Sequence, residues 1–482
     1  MRRTKIICTL GPSSNSAERI RALIEAGMDV ARLNFSHGTH EAHEQTFHIV
    51  REAAVDLGKN VAIMADLQGP KIRTGRLQDG KPVELKPDAA VSITTEDVPG
   101  TADRLSTTYG DLPHDVTEGD RILIADGTLE LTVEQVDPPA VHCRVVHGGT
   151  LGEHKGINLP GVAVSAPCLT EKDLDDLQFA MGLGADYVAL SFVREPDDIW
   201  TLKRIIEEAG RRMGVVAKIE RPEAIEQFEE ILALTDAVMV ARGDLGVEVP
   251  LDQIPQIQKD LITRCNQHGV PVVTATQMLE SMMTRARPTR AEVNDVANAI
   301  YDGTDAVMLS GETAAGAYPV QAVEVMARIA EQADDAIARS PRRHIDDEQA
   351  LAGAPEFSNA IGHAVYHISE SLPVRRVVCF TSSGYTAAMI ARYRPRVPVS
   401  AFTLTEEARR RCALFWGVEA AHTIEVHSID EMVALLDRSL IEDGLVEEGD
   451  TIVLVAGTPL AVEGRTNLLK LHTVGDRDYA AG

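Results

Sequence analysis

Short apolar runs, each closing on polar residues, recur along the first two-thirds of the chain. They are KIICTLG (5–11), VARLNFSH (30–37), VAIMADLQG (61–69), YVALSFVR (187–194), VVAKIER (215–221), AVMVARGD (237–244), PVVTATQ (271–277) and AVMLSGE (306–312). Runs this continuous predict strands buried on both faces, as in a parallel sheet. Amphipathic helical stretches separate most of them: Ser16–Ala26, His40–Leu57, Glu171–Leu183, Pro196–Met213 and Thr289–Tyr301. Start signals stand at Ser14/Ser16 and at Thr170 with Asp173. Eight strand–helix units predict a (β/α)8 barrel. An open doubly wound sheet is the alternative, and polar residues at nearly every strand end favour closure.

The spacing breaks once, between Leu67 and Tyr187. Within the gap, VELKPDAAVSITTEDV, DRILIADGTLELTVEQV and AVHCRVVHGG alternate apolar and polar residues around Asp-Gly, Gly-Asp and Pro-Pro turns. That pattern predicts a small antiparallel β domain inserted in a barrel loop, where such insertions act as lids. After a helix near 318–338, Pro341, Gly353 and Pro355 interrupt a linker-like stretch. VRRVVCFTSSG, VPVSAFTLT, HTIEVH and DTIVLVAG then predict a second α/β unit of four or five strands. The expected limits are 1–70 with 168–340 for the barrel, 71–167 for the insert and 341–482 for the C-terminal unit.

Composition narrows the partners. With 47 Lys+Arg against 73 Asp+Glu, the net charge is −26. Nucleic acid and anionic membranes both need a basic face, so neither is expected as a partner. Small phosphorylated substrates need only a few cations in one cleft. Six cysteines without a CxxC pair suit a reduced cytosol. The run Ile6–Leu10 is broken by Thr9 and is too short for a signal-peptide core, and no run approaches 18 apolar residues. A cytoplasmic protein is expected.

Chemistry in a barrel sits at the C-terminal ends of its strands. There the chain places Arg32, Asn34, Ser36 and His37; Asp66; Lys218 and Glu220; Asp244; Thr276; and Ser310. Lys218 and Glu220, two apart on one strand, point the same way; a plain ion pair is the simpler alternative. Glu220 with Asp244 suits Mg²⁺, which takes one or two carboxylates plus substrate oxygens. Lys218 and Arg32 suit a phosphoryl group, and Gly243 bares backbone N–H groups to a substrate carboxylate. No GxxxxGK[ST] or GxGxxG motif occurs. His40, His43 and His48, with Glu41 and Glu44, read as a solvated helix face, and Cys8 and Cys379 as inert strand residues.

The segments TKIICTLGPSS, GMDVARLNFSHG, DLQGPKIRTG, KGINLPG, KIERPEAI, MVARGDLGVE, ATQMLESM with RPTRAEVNDVANA, and DAVMLSGETAAGAYP resemble the pyruvate kinase family, in that family's order. The resemblance implies a (β/α)8 barrel with an inserted small β-barrel lid domain, a C-terminal α/β regulatory domain and a cytoplasmic homotetramer. It also implies the reaction phosphoenolpyruvate + ADP → pyruvate + ATP. It implies that Arg32 and Lys218 hold the transferring phosphoryl group. Glu220 and Asp244 would ligate Mg²⁺, with Mn²⁺ possible, and Gly243, Asp244 and Thr276 would bind the enolpyruvate carboxylate. Thr276 and Ser310 would serve enolate protonation, and Pro12, Asn34, His37, Arg73 and Lys155 would line the nucleotide site. Asn34, Ser36, Asp66 and Leu67 match a monovalent-cation site; Lys71 stands where many members have Glu, so K⁺ is not expected to be required. Thr381, Ser382, Ser383, Gly384, Tyr385 and Thr386 match an effector-phosphate loop whose ligand the sequence leaves open. A metal-dependent lyase would not need the insert, Lys218 and Arg73. A catalytically dead sensor would have lost Lys218, Glu220 or Asp244.

Overall fold

The structure, a computed structural model, describes residues 2–339, 356–426, 428–458 and 466–476. The linker prolines 341 and 355 and Gly353 lie outside the described residues. Eight parallel strands close into a barrel: β1 (Lys5–Thr9), β2 (Val30–Asn34), β3 (Ala62–Asp66), β4 (Tyr187–Leu190), β5 (Gly214–Ile219), β6 (Ala237–Ala241), β7 (Val272–Ala275) and β8 (Ala306–Leu309). All but Asn34 are buried, which is why the runs lack alternation. Both start signals are present, with Ser16 accepting from the Arg19 amide and Thr170/Asp173 forming a capping box; Thr289/Glu292 form another box, and Gly184 and Gly303 end their helices with positive φ. The helix read as Pro196–Met213 stops at Glu208, five residues early, and Gly210 turns the chain with φ 66°.

The insert between β3 and β4 has its own core, including Ile93, Leu105, Ile122, Leu131, Val141 and Val145. The resemblance implies a small β-barrel there. A six-stranded sheet forms it, with a ribbon of Val83–Leu85 and Gly149–Leu151 beside it. Its end strands, Arg104–Ser106 and Ile157–Asn158, are joined through the chain between them: Thr74 bridges to Thr107 and Arg73 to Gly156, and the Gly75 and Ile157 amides donate to Ser106 and Ile72.

The C-terminal unit is a five-stranded sheet of β9 (Val374–Thr381), β10 (Val399–Thr403), β11 (Val418–Thr423), β12 (Thr451–Ala456) and β13 (Leu468–Thr473), in the order β11-β10-β9-β12-β13. The antiparallel edge strand β13 was not foreseen, since LLKLHT is half exposed and lacks a buried run. One apolar cluster runs from the barrel interior (Ile7, Met64, Tyr187, Met239) into this sheet (Val377, Cys379, Phe415). The joint is polar at its edges. The Tyr187 hydroxyl donates to the Arg411 carbonyl at 2.7 Å, and Asp186 accepts from both Arg51 and Arg410 at 2.7 Å. All six cysteines are buried and unpaired, and burial pushes the thiols of Cys143 and Cys412 up to about 12.

Asp334 is the buried bracket of the chain start. It accepts from the amides of Arg3 (2.7 Å) and Thr4 (2.8 Å), the Thr4 hydroxyl (2.9 Å) and Trp416 Nε1 (3.4 Å). Asp334→Ala strands these donors, each costing about 1–3 kcal/mol if left unsatisfied. A melting temperature lowered by the equivalent of about 2–4 kcal/mol is expected in a thermal scan.

Candidate active site

Three charged side chains from three strands meet in the barrel mouth. Asp66, the last residue of β3, is 1% exposed. It accepts from Arg32 Nε on β2 at 2.6 Å and from Lys218 Nζ on β5 at 3.3 Å. Arg32 also donates to the Thr9 hydroxyl at 2.8 Å. Lys218 donates at 2.6 Å to Ser191 Oγ, which passes its own proton on to the Leu67 carbonyl at 2.7 Å. Burial alone would raise the Asp66 carboxyl, but the Arg32 and Lys218 cations bring it below the ordinary value. Burial would likewise depress Lys218, yet Asp66 and Glu220 hold its ammonium above the ordinary lysine range.

Glu220, just beyond β5, is equally buried. Its Oε2 accepts from the Phe192 amide at 2.8 Å. Its Oε1 lies 2.9 Å from Lys218 Nζ in an ion pair. Burial raises the Glu220 carboxyl, Lys218 opposes this, and Asp244 raises it further. Asp244 sits in the short helix Arg242–Glu248 that follows β6. A divalent cation fits this donor set: it would relieve the repulsion between the two carboxylates.

The remaining site residues sit on backbone that is itself held. Thr276, after β7, has φ 68°, and Gln277 has φ 56°. Such strain persists only where surroundings over-determine it. Arg242 supplies part of that hold, donating to the Thr276 carbonyl at 2.9 Å while paired with Asp295. Thr276 Oγ1 accepts from the Gly243 amide at 2.7 Å and donates to the Ala275 carbonyl at 2.6 Å. Its hydroxyl is therefore committed on both sides, and the Gly243 amide is occupied. Ser310 Oγ, by contrast, is buried without a partner, while the Ser310 amide and the Leu279 amide both donate to Glu312.

Between lid and barrel lies a cavity of about 300 Å³ lined by Lys71, Arg73, Lys155, Arg194, Arg221 and Asp244, among others. Pro12, Asn34 and His37 lie outside its wall, after β1 and at the end of β2. Burial lowers the His37 imidazole, and Lys71, Arg73 and Arg32 lower it further, so four basic groups converge beside the cavity. Sequence reasoning missed the lid's anchor. Arg221 donates to Glu248 at 2.9 Å and to the Val162 carbonyl at 3.0 Å, and Asn158 donates to Glu248 at 3.2 Å. Pairing across 27 residues leaves no local spacing signal.

Three of the four residues of the expected monovalent-cation site have oxygens that already meet partners. Asn34 Oδ1 accepts from the Ser36 amide at 3.1 Å, Leu67 accepts from Ser191, and Asp66 meets two cations. Lys71 is half-buried, with burial lowering its ammonium and Asp244 and Glu220 raising it.

On the helix face read as solvated, His48, Glu41 and Glu44 are exposed, whereas His40 and His43 are partly covered. His40 stacks on Phe179 and bonds Asp176 at 2.7 Å, and His43 bonds the His37 carbonyl at 2.8 Å. Among the described residues no group of three or more His, Cys, Asp or Glu could hold a metal. In the C-terminal loop, the Gly384 amide donates to Thr381 Oγ1 at 3.0 Å, the Tyr385 amide to Ser383 Oγ at 3.4 Å, and Thr386 bonds Thr466 at 3.0 Å.

The pyruvate kinase barrel-domain model matches residues 1–323 and its alpha/beta-domain model residues 359–472. The chain belongs to the pyruvate kinase family. Pyruvate kinase of Mycobacterium intracellulare is 46% identical over 478 residues, 99% of each chain. That of Staphylococcus aureus strain MRSA252 is also 46% identical, over 99% of this chain and 81% of the relative. A crystal structure of a pyruvate kinase from Cryptosporidium parvum covers 98% of this chain and 96% of its own, with a TM-score of 0.88 at 39% identity. Membership of the pyruvate kinase family makes this chain a phosphotransferase enzyme. The described residues contain no helix long and apolar enough to cross a membrane.

Asp66 also sets an acid limit. Its folded pKa lies below the unfolded value of about 3.9, so its stabilisation is complete above that pH and is lost as pH falls through the folded value. Asp66→Ala leaves two buried cations unpaired and is expected to cost about 3–5 kcal/mol at neutral pH. Urea titrations should show this loss shrinking as pH drops below about 4.

Proposed function

We propose that the barrel mouth transfers the phosphoryl group of phosphoenolpyruvate to ADP, giving pyruvate and ATP, the last step of glycolysis. One observation carries this assignment: a buried Lys218–Asp66–Arg32 cluster stands beside the Glu220 and Asp244 carboxylates, in a chain of this family. Lys218 and Arg32 direct positive charge at the phosphoryl group while its bond to the enol oxygen breaks and a bond to the ADP terminal oxygen forms. Mg²⁺, or Mn²⁺ in its place, would be held by Glu220 and Asp244 and would supply charge to the enolate oxygen. The helix start at Gly243–Asp244 receives the substrate carboxylate, which competes with Thr276 Oγ1 for the Gly243 amide. Of the two candidate hydroxyls for enolate protonation, Ser310 is the one with an uncommitted oxygen. Arg73 and Lys155 face the nucleotide from the lid, with Pro12, Asn34 and His37 opposite.

The division of labour follows residues 1–70 with 168–340 as catalytic unit, 71–167 as lid and 341–482 as effector unit, in a cytoplasmic homotetramer. The loop 381–386 receives a phosphorylated effector. Lys71 replaces K⁺ as the internal cation. This is supported by its half-buried place, electrostatically facing Asp244 and Glu220, and by an Asp66 carboxylate already neutralised twice.

A coupled assay should show ADP-dependent pyruvate formation that requires a divalent cation; its absence would overturn the assignment. Lys218→Met is expected to lower kcat by about 10²–10³, roughly 3–4 kcal/mol. Retention of more than half the wild-type kcat would remove Lys218 from the mechanism. Turnover in tetramethylammonium buffer should rise less than tenfold on adding about 100 mM KCl at matched ionic strength. Lys71→Glu should create a K⁺ requirement in the same assay.

A further inference from the structure

Two arginines of the barrel grip the segment by which the lid returns. Arg221, directly after Glu220, donates to the Val162 carbonyl at 3.0 Å and to Glu248 Oε1 at 2.9 Å. Arg194, beyond β4, donates to the carbonyl of Val164 and, at 2.9 Å, to that of Ala166. Asn158, on the last short strand of the lid, donates to the same Glu248 oxygen at 3.2 Å. Arg221 and Glu248 are only 6% and 8% exposed, so solvent screens their attraction weakly. Burial raises the Glu248 carboxyl and Arg221 opposes that rise, so the anion depends on the guanidinium beside it.

This anchor holds a ribbon that bears two cations. Arg73 donates to the His154 carbonyl at 3.1 Å, and the Thr74 amide to the Lys155 carbonyl at 2.8 Å. The Lys155 amide donates to Thr74 Oγ1 and the Ile157 amide to the Ile72 carbonyl, both at 2.9 Å. Arg73 and Lys155 are thereby fixed to one another, with Asn158 a short step further along the same strand. On the barrel side, Asp244 and Glu248 stand one turn apart on one short helix and share a face. Both carboxylates proposed to hold the divalent cation, Glu220 and Asp244, therefore share a backbone segment with a member of the anchor. Arg73, Lys155, Arg221, Asp244 and Glu248 all line the cavity between lid and barrel.

We propose that Arg221 is a positioning residue for the nucleotide, acting through Glu248 and the lid's return segment to set how far Arg73 and Lys155 stand from Asp244. The proposal rests on the nucleotide reading of Arg73 and Lys155 and deepens it, because it names what holds those two cations in place. The planar guanidinium suits the task, since its fork reaches Glu248 and the Val162 carbonyl together. Arg221 serves the reaction only through the lid. Its influence therefore falls on ADP, which the lid covers, and spares phosphoenolpyruvate, which the barrel groups Arg32, Lys218 and Gly243 hold.

Steady-state kinetics on the full chain, with ADP and phosphoenolpyruvate varied in turn, tests this. Arg221→Met is expected to raise the KM for ADP at least about tenfold, with kcat at saturating ADP within about threefold of wild type. The KM for phosphoenolpyruvate should stay within about twofold. Arg221→Lys should recover only part of the loss, because a lysine does not serve two acceptors as a planar fork does. Asn158→Leu removes the lid's own donor and leaves the buried ion pair intact, which guards against a folding defect. It should shift the KM for ADP in the same direction by a smaller factor. An unchanged KM for ADP in both variants, or equal losses for the two substrates, would overturn the role. Hydrogen exchange over residues 157–166 reads the anchor without turnover, and unaccelerated exchange in Arg221→Met would also overturn it. Absence of wild-type turnover in the coupled assay would instead overturn the catalytic assignment on which the nucleotide reading stands.

Discussion

A single buried carboxylate holds the catalytic end together. Arg32 and Lys218 come from strands that are not neighbours, and like charges at such range repel strongly once water is excluded. Asp66, on the strand beside Arg32, makes their approach stable, and Ser191 completes the arrangement by linking Lys218 to the backbone after β3. The barrel supplies the closure that brings β2, β3, β4 and β5 to one rim. The charges are positioned before any substrate arrives, so no reorganisation is left to the moment of reaction.

The same logic of buried ionic brackets recurs at the joints. Glu248 with Arg221 and Asn158 ties the lid's return strand to the helix after β6, close to Asp244. Asp186 sits between Arg51 of the barrel and Arg410 of the C-terminal unit, and it also accepts from the Ile63 amide at 2.7 Å at the start of β3. One bracket joins the lid to the C-terminal end of the barrel, beside Glu220 and Asp244, and the other joins the C-terminal unit to the opposite end. Removing one partner from such a bracket costs more than the pair contributes, which favours all-or-none retention.

Most of the barrel was legible because its signals are local. Continuous apolar runs marked the eight strands, and Ser16, Thr170 and Thr289 marked helix starts. The residues at the strand ends were legible for the same reason, since a strand's end is a matter of order along the chain. What escaped depends on contacts between distant positions. The sequence places Asp66 at a strand end but not its partners there, Arg32 and Lys218, 34 and 152 positions away. Glu312 holding the Leu279 amide and Arg242 holding the Thr276 turn, 33 and 34 positions away, are equally non-local. The half-exposed β13 escaped because an edge strand needs only one apolar face and here barely has that.

The six buried cysteines carry a consequence for the molecule's chemical durability. A thiol whose pKa has risen to about 12 is ionised at neutral pH to only on the order of one part in 10⁵, and the thiolate is the reactive form. The folded chain therefore offers oxidants and alkylating reagents almost no nucleophile, although each cysteine regains ordinary reactivity once exposed. Cys143 in the lid, Cys8 in β1 and Cys379 in β9 place one such silent group in each of the three structural units. Rates of thiol labelling would thus time the opening of lid, barrel and C-terminal sheet separately, with no foreign probe introduced.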